Sequence, residues 1–227
     1  MFRNSFKSII SNKSMINTGS KDLDDFIGGY GNHLTMIYGK AATGKTTCCM
    51  LAAIEQLKQN KKVIYIDTEN GFSLDRFKQL AGEDYNRYLD NLFISKINDF
   101  KNQGKKIKEL MLFIEKSKFS LIIVDTIGIY YRRIVKSHKD LANNMLISQI
   151  KDLQEISKKV PVIITNQVYN KIDIDEEVML AYNLIERYCS CLIQLNKNIK
   201  RKIKLIKPVK KEMFFEIERE GLFKVRR

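Results

Sequence analysis

The sequence lacks any apolar run long enough to cross a membrane, and its longest hydrophobic segments have the length of β-strands. The amino terminus is basic, but neither a continuous apolar stretch nor a small-residue cleavage site follows it, as a secretion signal would require. Internal repeats and low-complexity linkers are absent from the sequence as well. These features predict a cytoplasmic protein with a tail over residues 1–15 and one large domain over residues 16–227.

Cysteine is scarce, with four copies, and its spacing excludes common metal sites. Neither Cys48-Cys49 nor the pair Cys189 and Cys191 has the two-residue gap of zinc or thioredoxin-type sites. Cys189 and Cys191 stand two apart on a predicted strand, so we expect both to point to one buried face. The cysteines therefore indicate a reduced interior rather than metal binding.

Acidic residues are outnumbered by basic ones, 26 to 40, which gives a formal net charge of +14. A strongly basic balance favours a polyanionic partner, although lysines spread over the whole chain also suit an ordinary solvated surface. The distribution is more informative. Eight basic residues and no acidic one lie between Lys197 and Lys211, which makes a local basic strip.

The phosphate-binding motif G-x-x-x-x-G-K-[ST] is present without a mismatch over residues 39–46, between a predicted strand at 34–38 and an apolar helix that ends near residue 60. In that setting Lys45 reaches the β- and γ-phosphates and the Thr46 hydroxyl ligates Mg²⁺. We expect nucleotide contacts from Gly39, Lys40, Ala41, Ala42, Thr43, Gly44, Lys45, Thr46 and Thr47.

Strands and helices alternate beyond this motif. Buried strands are predicted at 34–38, 62–67, 92–95, 121–125 and 160–165, and helices at 21–27, 73–81, 105–116 and 140–158. Apolar strands separated by helices are typical of a parallel sheet with helices on both faces. Further strands at 190–195, 201–206 and 213–218 follow one another directly, so we expect antiparallel strands at the carboxyl end.

Carboxylates stand at the ends of two predicted strands. Asp125 follows an apolar run, as in a Walker B strand, and from there it can hold Mg²⁺ through water. Asp67 and Glu69 close the strand at 62–67, which places a second carboxylate at the same edge. Taken alone, Glu69 is also consistent with a solvated acid at a strand end.

The chain resembles the RecA-type recombinases in the order and spacing of six segments: residues 16–24, the Gly28-Gly29 turn, residues 39–46, 66–69, 122–125 and 165–167. The resemblance covers residues 16–207 and implies a RecA-like P-loop NTPase core that uses ATP and Mg²⁺. It further implies that Glu69 polarises the attacking water, that Gln167 senses the γ-phosphate, and that Arg76 stacks on adenine.

Within that family the chain most resembles the archaeal RadB group of paralogues. It starts close to the ATPase core, without the helix-hairpin-helix domain of the recombinases, and residues 182–188 are also similar. The resemblance implies an accessory protein of homologous recombination and DNA repair that hydrolyses ATP weakly, binds DNA and does not exchange strands itself. It also implies a recombinase or Holliday-junction resolvase as protein partner, and a homo-oligomer. One departure is Ile206-Lys207-Pro208-Val209-Lys210-Lys211, where the RadB group has His-Arg-x-Arg-Pro.

The segment after Asp125, residues 126–139, occupies the place of the first DNA-binding loop of RecA-type proteins. Aromatic residues beside arginines suit single-stranded DNA, because bases stack on rings while guanidinium groups meet phosphates. The candidate DNA-binding residues are Tyr130, Tyr131, Arg132, Arg133, Lys136 and Lys139. In the alternative interpretation the two tyrosines pack beneath the loop and the charges are solvated.

A second loop is predicted at 168–180, where Asp173, Asp175, Glu176 and Glu177 oppose a polyanion and favour an accessory role over strand exchange. Two rival functions stay open. One is a protein-binding module switched by nucleotide, and the other is a RecA-fold signalling ATPase without a DNA role. Phe2 or Phe6 is a candidate aromatic knob for docking between subunits, and the alternative is that both belong to a flexible tail.

Overall fold

The computed structural model describes residues 15–116, 118–171 and 174–225. Its strands are β1 (Leu34–Gly39), β2 (Lys62–Asp67), β3 (Leu92–Lys96), β4 (Phe119–Asp125), β5 (Val162–Lys171), β6 (Ile174–Met179), β7 (Cys191–Lys197), β8 (Arg201–Lys207), β9 (Lys211–Ile217) and β10 (Leu222–Lys224). Its helices are α1 (Lys21–Ile27), α2 (Lys45–Lys58), α3 (Leu74–Ala81), α4 (Tyr85–Leu89), α5 (Phe100–Lys116), α6 (Ile129–Ile134), α7 (Lys139–Ser157) and α8 (Tyr182–Ile185).

The strands form one mixed sheet in the order β3-β2-β4-β5-β1-β7-β8-β9-β10. The strands from β3 to β7 in that order are parallel, and β8, β9 and β10 extend the sheet in antiparallel pairing. β6 pairs with the outer part of β5. The predicted fold class is confirmed: a RecA-like core with a mostly parallel sheet, helices on both faces and antiparallel strands at the carboxyl end.

Each central strand is buried on both faces because its side chains alternate between two apolar cores. Val63 and Tyr65 of β2 enter the core that packs against α2, whereas Ile64 and Ile66 enter the core beneath α5 and α7. The helices take up the two faces of the sheet. The carboxyl ends of the parallel strands therefore form a shared edge, where a ligand can approach.

Serine caps begin two of the predicted helices. Ser20 Oγ accepts a hydrogen bond from Leu23 N at 3.3 Å, and Ser73 Oγ accepts one from Arg76 N at 3.2 Å. Gly28 ends α1 with φ 85°, a left-handed conformation that glycine adopts without a steric penalty. The prediction of these helices is confirmed.

Helix α5 begins at Phe100, five residues before the predicted start. Asp99 caps it by accepting a hydrogen bond from Asn102 N at 2.8 Å. Gly104 lies inside the helix, where a Cβ would stand 3.1 Å from Gln149 Nε2 on α7. This glycine permits the close approach of the two helices.

The prediction that Cys189 and Cys191 share one face is wrong. β7 begins only at Cys191, and Cys189 precedes it after the short 3₁₀ helix Glu186–Tyr188. Cys189 is buried in the core beneath α7 and Cys191 in the core against α2. All four cysteines are free and buried. None of the described helices combines the length and apolar character of a membrane span.

Candidate nucleotide-binding site

The phosphate-binding motif forms the turn between β1 and α2, at the carboxyl edge of the sheet. Gly39 is required by packing, since a Cβ on it would meet the Leu195 carbonyl oxygen at 2.1 Å. Gly44 has φ 112°, and a Cβ there would meet Ile217 Cδ1 at 2.4 Å. The loop is therefore held between β7 and the end of β9, and both motif glycines have a structural reason.

Lys45 is 8% exposed, and its ammonium group bridges the loop. Lys45 Nζ donates hydrogen bonds to Gly39 O at 2.9 Å and Lys40 O at 2.8 Å. Burial lowers the pKa of Lys45, while the charges of Asp125 and Glu69 act in the opposite direction. The geometry brings a cation to the centre of the loop, beside two carboxylates.

Asp125 is the centre of a buried hydrogen-bond cluster. Its Oδ2 accepts bonds from Thr46 Oγ1 at 2.8 Å and Tyr65 OH at 2.7 Å. Its Oδ1 accepts a short bond from Thr165 Oγ1. The Walker B candidate and the motif threonine therefore lie together, as the sequence predicts, and Tyr65 and Thr165 fix the carboxylate.

The residues of this cluster fit Mg²⁺ bound together with nucleotide phosphates. A hydroxyl and a carboxylate in contact supply hard oxygen ligands, and Mg²⁺ in such sites takes its other ligands from phosphate and water. Within residues 15–116, 118–171 and 174–225 there is no group of three or more His, Cys, Asp or Glu side chains that could hold a metal by themselves. Thr46 and Asp125 would hold the ion.

Glu69 and Gln167 are in direct contact. Gln167 Nε2 donates a hydrogen bond of 2.7 Å to Glu69 Oε1, which also accepts one of 3.4 Å from Thr126 Oγ1. Glu69 is an exposed residue whose carboxyl group is only partly buried, and this partial burial, followed by the charge of Asp125, raises its pKa. The arrangement places a carboxylate of increased basicity beside Lys45.

Sheet register brings these strand ends together. Asp67 of β2 lies opposite Asp125 of β4, and Gly39 of β1 lies opposite Gln167 of β5. Thr68 ties the first pair of ends, because its Oγ1 accepts a bond from Thr126 N and its own N donates to Asp125 O. The pairing of the parallel strands thus places their polar carboxyl-terminal residues side by side at the carboxyl edge of the sheet.

Sequence reasoning missed Tyr65 and Thr165, and strand parity could have found Tyr65. Side chains two apart on a strand share a face, so Tyr65 faces the same side as Asp67 and, on the paired strand, Asp125. A polar hydroxyl on an otherwise apolar strand needs a partner when buried, which is the signal. Thr165 gave a weaker signal, since threonine is common in strands.

Arg76 lies at the start of α3 and holds the turn between β9 and β10. Its guanidinium donates to Arg219 O at 3.0 Å and Glu218 O at 2.7 Å. Arg201, at the start of β8, donates to Ala42 O in the phosphate-binding loop at 2.8 Å. The antiparallel strands therefore contact the phosphate-binding loop through Arg201. The run of basic residues in the sequence did not indicate this contact.

The segment expected to be the first DNA-binding loop contains helix α6. Tyr130 and Tyr131 are only 5% and 6% exposed, and their hydroxyls bond to Thr68 O and to Asn143 Oδ1. Stacking of bases on these two rings is a wrong prediction for this structure, because the rings pack into the core beneath the segment. The surface of the segment is formed by cations instead.

Arg132, Arg133, Lys136 and Lys139 are exposed. Arg133 also lies over the Tyr130 ring, with Cζ 5.1 Å from the ring centre. The second predicted loop is largely a strand pair, β5 with β6. Its acidic side chains fall outside the described ones, as do Phe2 and Phe6.

Comparison with known proteins identifies the family. The family model Rad51 matches residues 10–185. "DNA repair and recombination protein RadB" of Methanoculleus marisnigri is 34% identical over 80% of this chain and 83% of its own length. The proteins of that name from Methanocaldococcus jannaschii and Thermococcus sibiricus are 38% and 37% identical, over 72% and 81% of this chain and 78% and 81% of their own lengths. The chain belongs to the Rad51 family of RecA-like proteins, within which its relatives are RadB proteins.

Proposed function

We propose that this chain is an ATP-dependent accessory protein of homologous recombination and DNA repair, which hydrolyses ATP slowly and binds single-stranded DNA without exchanging strands. The proposal treats residues 16–227 as one ATPase domain behind a tail. It rests on family membership and on the names of the relatives. The observation that carries it is the contact between Glu69 and Gln167 beside the buried ammonium group of Lys45.

The residues divide the work of phosphoryl transfer among them. Lys45 and the backbone N–H groups of the loop would bind phosphate oxygens, and Thr46 with Asp125 would hold Mg²⁺, which would supply positive charge to neutralise developing negative charge. Glu69 orients the attacking water and accepts its proton, while Gln167 fixes the Glu69 carboxylate. Slow turnover is expected only from the resemblance to the RadB group.

DNA binding is assigned to the exposed cations Arg132, Arg133, Lys136 and Lys139. They lie directly after the site carboxylate Asp125 in the chain, and a net charge of +14 favours a polyanion. Homo-oligomers and a recombinase or resolvase as protein partner are supported only by the family resemblance. Those partners are part of the proposal and need their own test.

The experiment is to compare the purified protein with Glu69→Gln for phosphate release, and to measure DNA binding and strand exchange by the wild type at physiological salt. We expect slow turnover that Glu69→Gln abolishes, DNA binding, and no exchange of strands. Equal turnover in the variant would make the chain a nucleotide-binding module rather than an ATPase. Absence of DNA binding would favour a signalling ATPase.

A further inference from the structure

A cleft of about 690 Å³ lies at the carboxyl edge of the sheet, on the face opposite helix α2. It is bounded by the ends of β1 and β7, by α6 and the start of α7, and by the segment that leads into α8. Its volume falls within the range of about 300 to 1,000 Å³ that small-molecule sites occupy. None of the nucleotide-contacting residues described above lines it.

The cleft has a floor and a wall of tyrosine rings. Tyr38 and Tyr131 are nearly buried and form the floor, and the half-buried ring of Tyr182 forms one wall. Burial, and after it the neighbouring Tyr182, raise the pKa of Tyr38 to about 12, so its hydroxyl remains protonated at neutral pH. An aromatic wall with accessible surface suits a flat ligand that stacks.

Side-chain amides supply the polar part of the lining. Asn143, Asn183 and Gln194 come from three different elements and meet at the cleft. The Asn143 oxygen accepts a bond from Tyr131 OH at 2.9 Å, a bond that does not involve its amide nitrogen. Amides both donate and accept, as the Watson–Crick edge of an unpaired nucleobase requires.

Cations lie at the mouth of the cleft. Lys139 lines it and is exposed, and Arg132, Arg133 and Lys136 lie on the adjoining segment. Cations outside an aromatic and amide-lined cleft match a ligand with a phosphate beside a base. An acidic peptide would meet the cations equally well, but it would not use the stacking wall.

The wall of the cleft that contains Leu180 is hydrogen-bonded to β5. Asn166 Nδ2 donates to Leu180 O at 2.7 Å, and Leu180 N donates to Gln167 O at 3.1 Å. Asn166 lies opposite Tyr38 in the sheet, so floor and wall are joined by one strand pair. The cleft is therefore preformed, and binding needs little ordering of the chain.

We propose that this cleft binds an unstacked nucleobase, with Tyr182 as the stacking platform and Lys139 against the adjacent phosphate. The inference rests on the proposed DNA binding and replaces Tyr130 and Tyr131 by Tyr182 as the ring on which a base stacks. The base belongs either to a single strand or to a free nucleotide. Bases paired in a duplex do not reach the cleft.

The experiment uses the full chain and two labelled strands of equal length and charge, an oligothymidylate and its abasic counterpart, measured by fluorescence anisotropy. We expect the wild type to bind the base-bearing strand about 5- to 100-fold more tightly, the range that stacking of one base gives. Tyr182→Ala should lose this preference with unchanged affinity for the abasic strand, and Tyr182→Phe should keep it. Tyr85→Ala, which removes a ring on α4, is the matched control.

The results of this experiment distinguish a failure of the cleft proposal from a failure of the proposed DNA binding. Equal binding of both strands by the wild type overturns the cleft while DNA binding stands. If neither strand binds, thymidine monophosphate is titrated into Lys45→Ala: binding that is lost on adding Tyr182→Ala supports a free-nucleotide site, and no binding overturns the inference.

If circular dichroism shows that Tyr182→Ala is unfolded, Asn183→Ala takes its place, because that side chain is exposed. It should weaken only the base-bearing strand, by about 2- to 10-fold, as expected for one hydrogen bond. Unchanged affinity for that strand in Asn183→Ala would count against the cleft.

Discussion

Glu69 Oε1 accepts a hydrogen bond of 2.7 Å from Gln167 Nε2, which joins the ends of β2 and β5 across the intervening strand β4. The contact connects residues 98 positions apart in the chain. It sets the orientation of the carboxylate to which we assign the attacking water.

The raised pKa of Glu69 makes a prediction about stability. Above that pKa the carboxylate is ionised in both states and the folded state carries the desolvation penalty, whereas below the ordinary value of 4.5 it is protonated in both. Because the side chain is partly exposed and its charge is screened by solvent, Glu69→Gln should raise the Tm only slightly at pH 7 and leave it nearly unchanged near pH 4. Thermal unfolding at the two pH values measures this.

Glu55→Gln on α2 is the control. It should change the free energy of unfolding by less than about 0.5 kcal/mol at either pH, as ordinary surface substitutions do, so its Tm should stay close to that of the wild type. A Tm that falls in Glu69→Gln at pH 7 would contradict the account of the carboxylate.

Glu69 also determines the pH dependence of turnover. As a proton acceptor it must be ionised, so the acidic limb of the pH–rate profile should lie above pH 4.5. Gln167→Leu should lower turnover by about 10-fold or more while nucleotide affinity changes little, because only the positioning of Glu69 is lost. Steady-state phosphate release from pH 4 to 8 checks both points. Reduced nucleotide affinity with unchanged turnover would contradict them.

Two buried tyrosines differ in whether the hydroxyl group is hydrogen-bonded, and removal of the hydroxyl should therefore affect stability differently at the two positions. Tyr65 OH donates to Asp125, so Tyr65→Phe should cost about 1.5 to 3 kcal/mol, the range for hydrogen bonds to charged groups. Tyr30 OH is buried and makes no hydrogen bond within the described residues. Tyr30→Phe should therefore be neutral or stabilising. Urea unfolding of the two variants compares them directly, and equal losses would contradict the role of Tyr65.

The exposed arginines after Asp125 predict a change in the salt dependence of DNA binding. Replacing Arg132 and Arg133 by Gln should weaken binding of a single strand and reduce the log–log salt slope by about 0.7 for each lost phosphate contact. The matched control replaces Lys58 and Lys61, which are exposed near the end of α2, at the opposite edge of the sheet. Equal losses in both double variants would show only an effect of net charge.

Sequence patterns predicted the parts of the molecule that local chemistry determines. The phosphate-binding motif, the apolar strands and the helices expected at 21–27 and 73–81 depend on neighbours within a few residues, and the structure has them at these places. The strand ends of β2, β4 and β5 could also be placed at one edge, because parallel strands meet there.

Side-chain direction could not be predicted in the segment after β4. Whether Tyr130 faces bases or the core depends on the distant acceptors Thr68 O and Ile97 O, which only the fold brings near. The contacts of Arg76 and Arg201 with backbone carbonyls are likewise long-range, from β9–β10 and from the phosphate-binding loop. Tyr182 could not be recognised as a candidate base-contacting residue without the cleft that the fold forms around it.

Residues 39–46 are proposed to bind Mg·ATP through Lys45, and isothermal titration calorimetry of the full chain measures that binding. We predict saturable, Mg²⁺-dependent binding by the wild type, unchanged binding in Lys58→Ala at the far end of the same helix, and a loss of at least about 100-fold in Lys45→Ala, since a charge-assisted phosphate contact is removed. Equal affinity of Lys45→Ala and the wild type would contradict the account.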